Sequence, residues 1–460
     1  MKILYVSSFL EGLGGGEGNV TWELAHQSAI FGNQAYIFSP GKSYRQRRRE
    51  SGLIEATFPA KGMRGLMLFN STPMNIRRLY RNLEKINPDI IHFHSPVPMV
   101  VYVQIWALSH NIPMVFTIHE DPNKFLEYSY MSKGNPFLGL IRKGGFDSYL
   151  RNLYLNCQTL VAVNDLHIPF IRQFGYNGKL VCVENGRELS KYNKLTIPKV
   201  SAKKKILCFI GMISKRKNQK YLIEVMKYLP KEYELRLVGS PIFPSYLKKL
   251  PKLRNVKYMG QVKPDKIPNI LKECHLFVSA STEEVFSLVC IEALAAGKPI
   301  VGLKNSSTRK LINSSNGILL PLNTKPKVFA KTVLSILNVS QRSYEKMATS
   351  ARSSVSHLDW SKIIVRYQNV YDDILKNKVE TNESNRFNQI FAFLQNIVNG
   401  QLVESIVVNL GNSFKSSWDK FKNRKKKGNL LGFAIAGAAI TGIAITIFSL
   451  INMKNKMRKK

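Results

Sequence analysis

A strand-and-helix alternation that runs through the first part of the chain and then restarts constrains the fold most. Up to about Asn193, short apolar runs at Ile3–Ser7, Ala35–Phe38, Ile90–His94, Met114–Ile118, Thr159–Val163 and Lys179–Val183 read as strands. Helical patterns such as Val20–Ile30 and Asn75–Lys85 separate them. Parallel strands need long crossovers, usually helical, so this alternation predicts a doubly wound parallel sheet. A Pro- and Lys-bearing segment, 196–205, interrupts the pattern. It then resumes with strands at Ile206–Ile210, Leu235–Gly239, Val256–Tyr258, Leu276–Ser279 and Ile300–Leu303. Helices are expected at Gln219–Tyr228, Pro264–Lys272, Val289–Ala296 and Pro326–Leu337. With 460 residues the chain can fill two cores. The expectation is two α/β domains in series, facing across a cleft at the carboxyl ends of their strands.

The formal net charge is +38, which implies an anionic partner: nucleic acid, an anionic membrane surface or phosphorylated substrates. Residues 379–460 hold 13 basic and 4 acidic side chains, leaving +29 on the rest. No zinc spacing, recognition-helix pattern or RNP-like aromatic run accompanies this charge, so no nucleic-acid partner is expected. Cys157, Cys182, Cys208, Cys274 and Cys290 are odd in number and lack a CxxC pair. They predict buried free thiols in a reducing compartment. Met1–Ser7, MKILYVS, reads as a buried strand rather than a signal peptide, which places the body on the cytosolic side.

Leu430–Ile451, LLGFAIAGAAITGIAITIFSLI, carries no charge over 22 residues. At about 1.5 Å per residue, such a helix crosses a hydrocarbon core of about 30 Å. Lys420, Lys422 and Arg424–Lys427 precede it, and Lys454, Lys456 and Arg458–Lys460 follow. Basic residues at both interfaces can snorkel and bind anionic headgroups. A single-pass C-terminal anchor is therefore expected over 430–453, with a basic tail at 454–460. Ala434, Ala438 and Gly442 form a small-residue face through which two anchors could pair as a homodimer. The preceding 379–429 reads as an amphipathic and polybasic juxtamembrane segment. A body this basic, tethered by its tail, should lie against an anionic leaflet.

The chemistry concentrates in Ser281–Pro299, STEEVFSLVCIEALAAGKP. A strand ends in a polar loop, and the loop leads into an apolar helix closed by Gly297 and Pro299. Peptide N–H groups at Phe286, Ser287 and Leu288 would sit at that helix N-terminus, where a phosphate can be held. Glu284 and Glu292, eight residues apart, can accept hydrogen bonds from different hydroxyls of one sugar nucleotide. A competing reading makes Glu284 a helix cap and Glu292 a solvated helix residue.

The pattern Glu-x7-Glu followed by Ala-x3-Gly-x-Pro resembles the signature of retaining glycosyltransferase family four, enzymes of the GT-B fold. Other segments resemble that family in order from Lys2 to about Leu375. They are Gly14–Glu17, Asp89–Ser95 (DIIHFHS), Val115–Glu120 (VFTIHE), Val161–Asn164, Glu184–Tyr192 (ENGRELSKY), Gly211–Leu222 (GMISKRKNQKYL) and Trp360–Tyr371. The resemblance implies a GT-B architecture of two Rossmann-like domains: an acceptor domain over 1–195, a linker at 196–205 and a donor domain over 206–357. A crossover helix over 358–378 would return to the first domain.

It further implies a nucleotide-sugar co-substrate, UDP- or GDP-linked, with no cofactor and no essential metal. Gly15 and Gly16 would admit the donor diphosphate, together with Gly211, Arg216 and Lys217, the last neutralising the leaving group. His119 would approach the transferred sugar, Glu284 would hold its hydroxyls, and Glu292 would hold those of the ribose. Arg64, Arg77 and Arg78 fall where the family faces its acceptor and often the membrane. Met212 stands in place of a family arginine, and Val285 and Ser287 in place of glycines. The expected activity is hexose transfer with retention to a membrane lipid or lipid-linked acceptor. Two alternatives stay open: a non-catalytic membrane-bound partner of another transferase, and a GT-B sugar-nucleotide epimerase.

Overall fold

The computed structural model describes residues 1–9, 11, 15–63, 66–96, 98–119, 146–173 and 175–378. The expected juxtamembrane segment, anchor and tail, and Arg64, lie outside the described residues. Among the described residues no helix is long and apolar enough to cross a membrane. The chain forms two compact units. Of the described residues, the first comprises those within Met1–Ala162, His167–Cys182 and 367–378; the second comprises those within Val163–Leu166 and Val183–Arg366.

The first unit carries strands β1 (Lys2–Val6), β2 (Gln34–Gly41), β3 (Arg45–Arg48), β4 (Ile54–Met63) and β5 (Leu66–Phe69). They are followed by β6 (Ile90–Phe93), β7 (Met114–Ile118), β8 (Thr159–Ala162) and β9 (Lys179–Cys182). Their order is β3-β4-β2-β1-β6-β7-β8-β9, with β5 pairing β4. Pairing is parallel except where β4 meets β3 and β5. Strands buried on both faces read as continuous apolar runs. Ile3–Val6 and Ile90–Phe93 fit this, both fully buried and paired in register from Ile3 against Ile90. The flanking helices close the core with Leu79, Leu83, Val103, Trp106 and Leu153.

Strands β3 to β5 were not foreseen, because RQRR at Arg45–Arg48 reads as a charge run. It is an exposed edge strand whose register pairs Arg45 with Thr57 and Arg48 with Ile54. Arg47 and Arg49 both reach the buried carboxylate of Glu55, so part of the cationic run is neutralised from beneath. Charged edge strands also discourage pairing with other chains.

The second unit carries β10 (Lys205–Ile210), β11 (Tyr233–Val238), β12 (Val256–Gly260), β13 (Leu276–Ser279), β14 (Ile300–Leu303) and β15 (Gly317–Leu320). All are parallel, in the order β12-β11-β10-β13-β14-β15. This is the doubly wound order of a nucleotide-binding sheet. The division between units falls at Cys182/Val183, upstream of the 196–205 segment. Residues after Val183 pack within the second unit: Leu189 donates its N–H to Asp359 at 3.1 Å, and Tyr192 is buried. The final helix, Trp360–Lys376, contributes to the second unit up to Arg366 and to the first from Tyr367.

Candidate functional site

In the second sheet the strand order reverses between β10 and β13, and a crevice opens beyond the carboxyl ends at such a reversal. Gly211 follows β10 there, while Ala280–Glu284 follow β13. Gly211 has φ +148° and donates its N–H to Val238 at 2.9 Å. Gly239 beside it has φ +138°, and a Cβ on Gly239 would collide with the Gly211 carbonyl. The loop after Gly211 is stapled by Gln219, which accepts from Ser214 N–H at 3.1 Å and donates to the Met212 carbonyl at 2.9 Å.

The two loops are tied together at Arg216. Its carbonyl accepts from the N–H and the hydroxyl of Thr282 at 2.9 and 3.2 Å. Just beyond, the Lys217 ammonium donates to the Glu284 carboxylate; the two side chains are 10% and 18% exposed. A charge that deep is costly without a partner, so each holds the other in place. Glu284 is thus an ion-paired loop residue and not a helix cap.

The cap of the helix Leu288–Ala295 is Ser287, whose hydroxyl accepts from Cys290 N–H at 3.4 Å. The sequence-based expectation that the Ser287 peptide N–H faces a phosphate needs correction. That N–H donates to the Ser307 hydroxyl at 2.8 Å, because the neighbouring helix Ser306–Leu311 starts against this loop. Phe286 is buried and Leu288 half-buried. Asn164, from the Val161–Asn164 segment, and two residues missed by sequence reading, Asn305 and Ser307, fix the loop. Asn164 donates to the Val285 carbonyl at 2.8 Å, Asn305 to that of Ser281 at 2.8 Å, and Ser307 N–H to that of Glu284 at 3.0 Å. Small buried amides and hydroxyls far apart in sequence leave no periodic signal.

Glu292 lies inside the same helix, 3% exposed, so it is not a solvated helix residue. Its Oε1 accepts from Arg187 Nε at 2.6 Å, and a terminal nitrogen of the same guanidinium lies 2.5 Å away as an ion pair.

The first sheet reverses between β1 and β6. Gly15 and Gly16 are exposed and open the helix Gly15–Ile30, Gly15 with φ +64°. Ser95, past β6, donates to the Glu17 carboxylate in that helix. His94 and His119 follow β6 and β7 with stacked rings 5.2 Å apart, and His94 Nδ1 is bonded to His119 Nε2 at 2.9 Å. The outer nitrogens, His94 Nε2 and His119 Nδ1, are buried and have no hydrogen-bond partner among the described residues. Behind them His92 is bonded to Thr117 at 2.7 Å and to the Tyr371 hydroxyl of the final helix at 2.8 Å.

Burial pushes the pKa of His92, His94 and His119 down, His119 to about 3, since a charged imidazole is poorly solvated there. His119 therefore acts at neutral pH as a neutral hydrogen-bonding group. Arg77 is exposed on the helix Pro73–Ile86, whereas Arg78 lies over the Tyr44 ring, 5.0 Å from its centroid.

Two sheets of this order, with glycines and paired charges at the reversal of the second, define a nucleotide-dependent GT-B architecture. Residues 14–191 match the family model described as Glycosyltransferase Family 4, and residues 193–354 that described as Glycosyl transferases group 1. The protein is a glycosyltransferase of the GT-B fold. It is similar to the alpha-monoglucosyldiacylglycerol synthase of Acholeplasma laidlawii, 22% identical over 294 residues, which are 59% of this chain and 72% of that protein. Its structure resembles sucrose-phosphate synthase from Thermosynechococcus elongatus with a TM-score of 0.66 at 16% identity, covering 81% of this chain and 99% of that one. Anabaena Alr3699/HepE in complex with UDP-glucose gives a TM-score of 0.61 at 17% identity, covering 81% and 100%.

Proposed function

We propose that this protein is a membrane-tethered, retaining glycosyltransferase that moves a hexose from a UDP- or GDP-sugar to a lipid or lipid-linked glycan. The observation that carries the reading is the Lys217–Glu284 ion pair at the reversal of the second sheet. Lys217, with Arg216, meets the diphosphate and stabilises the charge that develops on it as the glycosidic bond breaks. Glu284 receives hydroxyls of the sugar, and Glu292 those of the ribose. The neutral His119 offers a hydrogen bond to the transferred sugar. In this reading the protein's cations, and no metal, stabilise the leaving diphosphate.

Retention follows the family resemblance. The lipid acceptor is supported by the uncharged stretch at 430–451, by the +29 on the body and by the relative named for a glycolipid product. The test is transfer in detergent micelles, with UDP- and GDP-hexoses offered alongside diacylglycerol or polyprenyl-phosphate acceptors. The product's anomeric configuration is read by NMR. Transfer to soluble sugars alone, or an inverted product, would overturn the acceptor or the stereochemical claim respectively.

A further inference from the structure

Arg187, in the ENGRELSKY segment, forms a largely buried ion pair with Glu292, one of the two carboxylates read as donor-site residues. Its Nε donates to Glu292 Oε1 at 2.6 Å, and a terminal guanidinium nitrogen lies 2.5 Å from the same oxygen. The side chains are 13% and 3% exposed. Tyr192 is buried beside both, and the pKa of its hydroxyl is pushed up by burial and by the Glu292 charge.

The backbone beneath Arg187 cannot drift. Its N–H donates to the Leu358 carbonyl at 2.9 Å, and its carbonyl accepts from Trp360 N–H at 3.2 Å. The Trp360 ring lies flush over the preceding Gly186, where an added Cβ would come within 2.5 Å of it. A guanidinium on so fixed a stem pins Glu292 Oε1 by a charge-assisted bond and leaves Oε2 as the oxygen that can meet a ligand. The pair is also neutral as a unit. An uncharged diol can therefore dock on Glu292 without leaving a buried charge unbalanced.

We propose that Arg187 is a positioning residue of the donor site, which aims the Glu292 carboxylate at the vicinal ribose hydroxyls of the nucleotide. The proposal rests on the reading above, in which Glu292 receives the ribose. Hydrogen bonds to a charged acceptor are sensitive to its orientation, so the effect is confined to ligands that carry those hydroxyls.

The test is calorimetric titration of the full chain in detergent with UDP and 2′-deoxy-UDP, and with the matching guanosine pair. Wild type is expected to prefer the ribonucleotide by about tenfold or more. Arg187→Met should weaken the ribonucleotide by about that factor and leave the deoxynucleotide unchanged, so that the preference collapses. Arg187→Lys, which keeps the charge without the fork, should fall between and guards against a variant that fails to fold. An Arg187→Met chain that keeps the full preference overturns the proposal, as does one that weakens both ligands equally, the mark of a structural role. A wild-type chain that binds both nucleotides alike removes the ribose role of Glu292 and this proposal with it. A wild-type chain that binds neither nucleotide removes the donor reading itself.

Discussion

Lys217 and Glu284 come from separate loops and meet as a mutually dependent pair, so a substitution of either should disturb both. Glu284→Gln keeps the shape and a hydrogen-bonding side chain but removes the charge that anchors Lys217. Activity is expected to fall by about a hundredfold or more, and the melting temperature falls as well, because the Lys217 ammonium, the more buried of the two, loses its partner. Lys217→Met strands a partly buried carboxylate, which costs about 3–5 kcal/mol when such a pair is broken from one side. That variant should lose both activity and several degrees of melting temperature. Calorimetric melting alongside donor turnover checks both variants, and a wild-type melting temperature in either would contradict the pairing. Glu284 and Lys217 were each legible in the sequence, because the strand-loop-helix context of the acidic motif and the order of the surrounding segments mark them. Their mutual contact was not legible, since 67 residues separate them. Arg187 was hidden by its surroundings: one arginine among 68 basic residues carries no signal until its partner is seen.

At the scale of elements, the fold was largely legible where burial is two-sided. Met114–Ile118, Leu276–Ser279 and Ile300–Leu303 match the apolar runs residue for residue. Legibility failed where tertiary pairing overrides composition, as at β3, whose arginines become a strand only because β4 supplies the ladder. It failed again at β15, Gly317–Leu320, a short half-buried edge. The loop elements yield their own prediction. Asn305 caps the helix Ser306–Leu311 through a reciprocal bond with Thr308 and also holds the Ser281 carbonyl. Asn305→Ala should cost about 1–2 kcal/mol through the lost cap. It should also raise the KM for the donor more than it lowers kcat, because the 281–287 loop loses an anchor. A drop in stability with unchanged KM would limit Asn305 to capping. Gly239→Ala is expected to be more destabilising than Asn305→Ala, since both its φ and the adjacent Gly211 carbonyl exclude a side chain.

Over the whole molecule, pH and salt act on different parts. The stacked histidines of the first unit are held neutral, with pKa values below the ordinary 6.5. As pH falls through about 6.5 the unfolded chain takes up these protons while the folded chain does not, so stability declines toward pH 3. Melting temperatures should fall steadily between pH 7 and pH 5, and less so in His92→Gln. Salt addresses the charge. A chain ending at Lys378 retains every described strand and +29, and should bind anionic vesicles only through screened attraction. Raising salt to about 1 M shrinks the screening length to about 3 Å and should release it. The full chain carries 22 uncharged residues at 430–451, whose transfer to hydrocarbon does not depend on ionic strength, and should remain with the vesicles. Flotation of both forms at low and high salt distinguishes adsorption from anchoring. Release of the full chain together with the shortened one would leave charge as its sole attachment and remove the anchor from the proposed function.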